Sequence, residues 1–155
     1  MTDSSEHGVI SFTVAGVPAP QGSMVRTRYG VRPDNPATKP WRSAVAWEAT
    51  AAMQGRDPLA GALELRVVFG FPRPKSHYRT GKHAGELKLD APRYCITKPD
   101  TDKLLRAIGD AVTGICVRDD AQFVEIVATK LYGSPRAEIS IDYLASPLPE
   151  GAPTA

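Results

Sequence analysis

The stretch Leu63–Phe71 (LELRVVFGF) places Leu63, Leu65, Val67, Phe69 and Phe71 at every second position, with Glu64 and Arg66 between the first of them. A period of two sends these apolar side chains to one face of a β-strand. That face has to be buried, so the chain must build a sheet and lay apolar cover across it.

Two segments supply the cover. Within Asp100–Thr113, Leu104, Leu105, Ile108, Ala111 and Val112 recur at helical spacing, and Gly114 stands where the helix should end. Lys39–Met53 repeats the pattern with Trp41, Val45, Ala49 and Ala52, Pro40 suiting its first turn and Gly55 its end. Further strands are expected at Val9–Val17, where Ile10, Phe12 and Val14 share a face, at Gln122–Tyr132 and at Ala137–Tyr143, with a short one at Tyr94–Thr97. Gly133-Ser134-Pro135 reads as a hairpin turn between the last two strands. Pro18–Pro36 and Pro72–Pro92 read as loops, and an irregular run of about 20 residues in a small domain is usually functional or mobile. The expected architecture is α+β: one domain over residues 9–145, a small mixed β-sheet with helices on one face, between disordered ends at 1–8 and 146–155.

A chain of 155 residues buries enough surface to hold its fold without a metal or disulfide, so Cys95 and Cys116 need not pair. Met1–Gly8 is polar where an export signal is apolar, and no 18-residue apolar run exists, so a cytoplasmic protein with no membrane partner is expected. The formal charge is only +2, from 19 Lys+Arg against 17 Asp+Glu, and the small total conceals a segregation. Met24–Arg42 carries Arg26, Arg28, Arg32, Lys39 and Arg42 against Asp34. Arg66–Lys88 carries Arg66, Arg73, Lys75, Arg79, Lys82 and Lys88 against Glu86. Lys98–Asp120 reverses the balance, its five aspartates (Asp100, Asp102, Asp110, Asp119, Asp120) meeting Lys98, Lys103, Arg106 and Arg118. Basic loops beside an aspartate-dense segment suit a protein that attracts a polyanion and holds a hard cation.

In KPDTDKLLRAIGDAVTG, Asp100 and Asp102 lie in or just before the first turn of a helix, where an ionised carboxylate is favoured. A single such Asp is ordinarily a cap, and Asp102 with Arg106 would be an ordinary i,i+4 pair. The D-x-D spacing together with the Asp119-Asp120 turn points further. If the fold brings Asp100, Asp102 and one of Asp119 or Asp120 together, their repulsion calls for a divalent cation, and oxygen-only donors select Mg²⁺ or Mn²⁺. An EF-hand counted from Asp100 fails, with Leu105 at the glycine position and Ala111 at the glutamate position. The two Cys and three His lack zinc spacing, and no nucleophile-elbow motif is present.

Lys98–Val124 (KPDTDKLLRAIGDAVTGICVRDDAQFV) resembles the RusA family of Holliday junction resolvases, whose members carry KPD-x-D-N-L-x-K-x-x-x-D-A-L-x-G followed by D-D-x-Q-V. The opening Gly16-Val17-Pro18-Ala19-Pro20-Gln21-Gly22-Ser23 is similar to the family's N-terminal strand and loop, and the likeness runs from about Ile10 to Tyr143. The resemblance implies a RusA-like homodimer, a Mg²⁺-dependent endodeoxyribonuclease that nicks four-way DNA junctions symmetrically, in recombination and repair, without a small-molecule cofactor. It assigns metal binding and catalysis to Asp100, Asp102 and Asp120, with Asp119 adjacent. Arg106 stands where the family has a catalytic lysine, and Lys103 where it has asparagine. Arg106 keeps a charge for phosphate but cannot exchange a proton. Arg26, Arg28, Arg32, Arg73, Lys75, Arg79, Lys82, Lys98 and Lys103 are the candidate DNA contacts. Among Phe71, Tyr78 and Tyr29, any of which would wedge at a crossover, a core or loop role is the expectation for each. Competing readings are a DNA-binding protein of this fold with weakened catalysis, a flap or branched-DNA nuclease, and, less fitting, a small-molecule phosphohydrolase.

Overall fold

The computed structural model describes residues 10–144; the expected disordered ends at 1–8 and 146–155 lie outside the described residues. The elements run β1 (Ile10–Ala15), β2 (Met24–Thr27), β3 (Gly30–Pro33), α1 (Thr38–Met53), β4 (Leu63–Phe71), α2 (Thr101–Val112), β5 (Phe123–Tyr132) and β6 (Arg136–Tyr143). Short 3₁₀ turns stand at Lys75–His77, Gly81–His83 and Asp120–Gln122.

The four-stranded sheet has the order β1-β6-β4-β5. β4 pairs parallel with β5 and antiparallel with β6, which in turn pairs antiparallel with β1. The sheet is therefore mixed, and α2 lies in the crossover that a parallel pair requires. Leu63, Leu65, Val67 and Phe69 are all buried, as the alternation demanded, and form one core with Ile139 and Ile141 of β6 and Ile10 and Val14 of β1. Trp41, Val45, Ala49 and Met53 of α1 and Leu104, Ile108 and Val112 of α2 close that same core. Each fully buried side chain of this size stabilises the fold by about 1.5–3 kcal/mol. The apolar stripe of α2 is broader than its large residues alone indicate, because Ala107 and Gly109 are buried too while Leu105 is half-buried.

Three expectations need correction. Pro18–Pro36 is not simply a loop, since it contains the β2–β3 hairpin, whose strands pair with each other and not with the main sheet. Tyr94–Thr97 is no strand; only Tyr94 forms a bridge, to Leu131. Gly133–Pro135 is not a hairpin turn either, because β5 and β6 lie on opposite sides of β4. The connection instead passes over the end of β4, where Gly133 N–H donates to Phe71 O at 2.9 Å and Gly16 N–H to Pro135 O at 3.1 Å. A Cβ on Gly70 would lie 2.4 Å from Ser134 O, so the crossing needs a glycine beneath it.

Candidate active site

Asp100 is the residue from which α2 starts, in extended conformation, yet its carboxylate makes no capping bond to the helix. It is 54% exposed, with Lys103 Nζ 3.6 Å from Oδ2. Asp102 is exposed in the first turn, and no ion pair joins it to Arg106. Asp100 thus caps nothing although it pairs with Lys103, and Asp102 is not held by Arg106. Around Asp100 opens a cleft of about 320 Å³ edged by Lys98, Lys103, Pro20 and Asn35.

The tandem aspartates separate. Asp119 caps the short turn after α2: its Oδ1 accepts the Ala121 N–H at 2.8 Å, while Gln122 Oε1 accepts the Asp119 N–H at 3.1 Å. Asp120 instead leans on α2, where a Cβ built on Gly109 would lie 3.4 Å from its Oδ2. Asp102, Arg106 and Gly109 sit at i, i+4 and i+7, so Asp120 comes to the helix face that carries Asp102 and Arg106. A glycine inside a helix costs about 1 kcal/mol relative to alanine. Here a Cβ would meet Asp120 at ordinary contact distance, so the carboxylate lies close against the helix without depending on the glycine.

The expected convergence of Asp100, Asp102 and Asp120 is not seen: seven residues of helix put Gly109 about 10 Å along the axis from Asp102. Among the described residues, no group of three or more His, Cys, Asp or Glu is arranged to hold a metal ion. The donor set nevertheless fits Mg²⁺ in kind, being exposed carboxylate oxygens, and Mg²⁺ keeps most of its waters and needs only one or two carboxylates.

One residue missing from the sequence reading stands behind this site. Lys130 of β5 donates from Nζ to Thr97 O at 2.6 Å and to Pro99 O at 2.7 Å, tying down the segment that leads into Asp100. It pairs with Phe69 in register, on the face that the helices cover. The signal lay in the alternation Ile126, Ala128, Lys130, Tyr132, which puts a cation on an inward face where it requires acceptors. Cys95 lies beside the same segment, its Sγ 3.5 Å from Thr97 Oγ1, on the wall of a cleft of about 760 Å³. Burial works to raise the Cys95 pKa, but hydrogen bonds from Thr97 and Tyr132 and the Lys130 charge outweigh it, and the net shift is downward. Cys116 has no such support, and burial pushes its thiol up to about 11 against a smaller opposing effect of Arg56.

The candidate DNA contacts fall into three groups. Arg26, Arg28 and Arg32 ride on the β2–β3 hairpin. Lys98 and Lys103 border the Asp100 cleft. On the 72–92 segment, Lys75 and Lys82 are exposed, whereas Arg73 donates to Pro92 O at 2.7 Å with its guanidinium 5.4 Å from the Tyr132 ring, and Arg79 pairs with Glu86 at 3.0 Å. Arg73 and Arg79 thus hold their own segment together. Phe71 is a core residue and Tyr78 a half-buried one bridged to Leu87, but Tyr29 stands outside the core, 84% exposed.

A mixed sheet with a helix whose entry holds two exposed aspartates beside Lys98 and Lys103 defines the class, an α+β protein of a single domain. The family described as endodeoxyribonuclease RusA matches residues 15–142, and the chain belongs to that family. It is also similar to the uncharacterized protein YqaN of Bacillus subtilis (strain 168), with 31% identity over 141 residues, covering 85% of this chain and 94% of that protein. No helix among the described residues is long and apolar enough to cross a membrane.

Proposed function

We propose that this protein is a Mg²⁺-dependent endodeoxyribonuclease that resolves four-way DNA junctions by paired nicks, acting as a homodimer. The observation that carries the reading is the seat of Asp120 over Gly109, on the α2 face that also bears Asp102 and Arg106. Asp100 and Asp102 would hold the cation, with Asp120 further along the same helix face and Asp119 kept to its capping role. Bound there, Mg²⁺ supplies Lewis acidity toward the scissile phosphate and its attacking water. The chain's own groups orient the substrate: Lys98 and Lys103 at the rim face the phosphate, and Arg106 offsets charge as the transition state forms. Arg26, Arg28 and Arg32 contact backbone phosphates, with affinity that falls as salt rises.

Two active sites related by a two-fold axis match a junction of near two-fold symmetry. Support for the pairing comes from α1, whose outward face at Ser43, Ala46, Trp47, Thr50 and Ala51 carries no charge and borders a cleft of about 530 Å³. Trp47 stands 75% exposed among these uncharged side chains, an apolar patch of the kind a second copy would cover.

Replacing Asp100 or Asp102 by Asn is expected to abolish nicking of a synthetic four-way junction in Mg²⁺ while binding stays intact or tightens. Asn variants that still cut overturn the reading. A second reading, DNA binding without catalysis, is favoured by the Lys103–Asp100 ion pair and the separation of the carboxylates. A wild-type chain that binds junctions but never cuts them in Mg²⁺ or Mn²⁺ decides for it.

A further inference from the structure

The β2–β3 hairpin has no packing reason to exist. Its strands are four residues each and pair only with each other. Isolated two-stranded hairpins are marginal in water. Met24 (57% exposed) and Val31 (60%) show that neither strand buries its apolar side chains in a core. Arg26 pairs across from Val31 and Arg32 from Val25, so one face of the ribbon offers Arg26 with Val31 and Met24, and the other Arg32 with Val25. Such a ribbon is built to be covered by a partner that is both anionic and flat-faced.

The tip defines that partner. Thr27 pairs with Gly30 across a two-residue turn formed by Arg28 and Tyr29, and Gly30, at φ 122, adopts a conformation few other residues tolerate. Thr27 Oγ1 donates to Gly30 O at 2.9 Å and accepts the Tyr29 N–H at 3.3 Å, which stiffens the turn. The Arg28 guanidinium lies 4.6 Å from the Tyr29 ring centroid and also bonds the phenol oxygen. One side of the ring is thereby charged and held, while at 84% exposure the rest faces solvent. A tyrosine oriented by arginine and presented at the end of a basic ribbon suits an unstacked base, because every base has a π-face and its phosphates meet the arginines.

The root places this tip relative to the chemistry. Gln21 N–H donates to Lys103 O at 2.9 Å and Thr38 Oγ1 to Pro20 O at 2.7 Å, so the hairpin springs from the first turn of α2. Pro20 and Asn35, on either side of it, edge the Asp100 cleft. Four residues of strand at about 3.3 Å each carry the tip about 13 Å from the root, or about four base steps along a strand.

We propose that the hairpin is a DNA-reading arm on which Tyr29 stacks against a base left unstacked at the branch, about four nucleotides from the phosphate at Asp100. The assignment rests on the nuclease reading for its target and adds the residue that tells branched DNA from linear duplex. Stacking of this kind changes affinity by about tenfold or more per base.

The test uses the full chain without metal, bound to four-way junctions carrying the fluorescent base 2-aminopurine at successive positions near the branch. Wild type is expected to change the fluorescence at positions about three to five nucleotides from the cut site. Tyr29→Ala should lose that change and about tenfold of the preference for junction over linear duplex, while Tyr29→Phe retains both. Because the tip packs on no core, the melting temperature of both variants should stay at the wild-type value; an Ala variant that melts early is replaced by Tyr29→Leu, judged on the same two readouts. A Tyr29→Ala chain that keeps the fluorescence change and the preference overturns the arm, and so does a wild-type chain that binds no DNA. Cutting in Mg²⁺ is scored separately: a chain that stacks but never cuts overturns the nuclease reading alone, and one that cuts junctions while indifferent to Tyr29 overturns the arm alone.

Discussion

The Asp119 carboxylate accepts the Ala121 amide, and its neighbour Asp120 is thereby turned toward Gly109. One aspartate of the pair spends its charge holding a turn so that the other can offer its charge to the helix face. Lys130 acts in the same way on the opposite side, its ammonium bonded to two carbonyls just before Asp100. Charge-assisted bonds of this kind contribute about 1.5–3 kcal/mol each. Lys130→Met is therefore expected to fold, to cut at least tenfold more slowly and to require more Mg²⁺ for half-maximal rate, with Lys130→Arg recovering part of both in a metal titration. An unchanged titration would limit Lys130 to a stabilising role. The cysteines diverge by the same logic of partners. The Cys95 thiolate is supported by its neighbours and reached through a cleft, so its alkylation should proceed near pH 8 faster than that of Cys116 and rise with pH through a midpoint below 9.0, the ordinary thiol value. Cys116, held near 11, should stay unlabelled until the protein unfolds, as mass mapping of the modified thiols will show.

Among the elements, β4 bears the most constraint: it pairs on both sides, buries one face and runs beneath a chain crossing at Gly70. Gly70→Ala sets a methyl against Ser134 O and Arg136, and overpacking of this order costs about 1–3 kcal/mol. A fall of that size in urea-unfolding free energy, with the junction-cutting rate kept for the fraction still folded, is the expected result. Legibility followed the strength of the local pattern. β4 could be read to the residue because strict alternation has one interpretation, and α1 and α2 because their apolar stripes have another. The hairpin was missed because its strands bury nothing and so leave no alternation behind. The crossing at Gly133–Pro135 was misread because a Gly-Ser-Pro turn looks the same whether its strands pair or straddle a third. At the site, D-x-D and D-D were plain as residue types, whereas the separate roles of Asp119 and Asp120 show only in the turn bond of one and the approach of the other to α2 at Gly109, 11 positions away in sequence.

At the scale of the whole molecule, the proposed pairing of two copies would fall on the uncharged patch of α1 at Ser43, Ala46, Trp47, Thr50 and Ala51. Trp47→Glu would put a charge into a desolvated patch and is expected to yield a monomer by sedimentation, one that nicks a junction on one strand at a time instead of in pairs. A dimer that survives the substitution places the interface elsewhere. The sheet order carries a different consequence. Among the described residues β6 is the last strand in sequence, yet it lies between β1 and β4, and there it is the only partner β1 has in the main sheet. Ile10 meets Ile141, so contact closes across almost the whole described length. During synthesis, then, β1 waits unpartnered in the main sheet until β6 has cleared the ribosome, and a nascent chain that stops short of β6 lacks the assembled sheet. A member of the endodeoxyribonuclease RusA family is, by this arrangement, kept from its folded shape until β6 has been made.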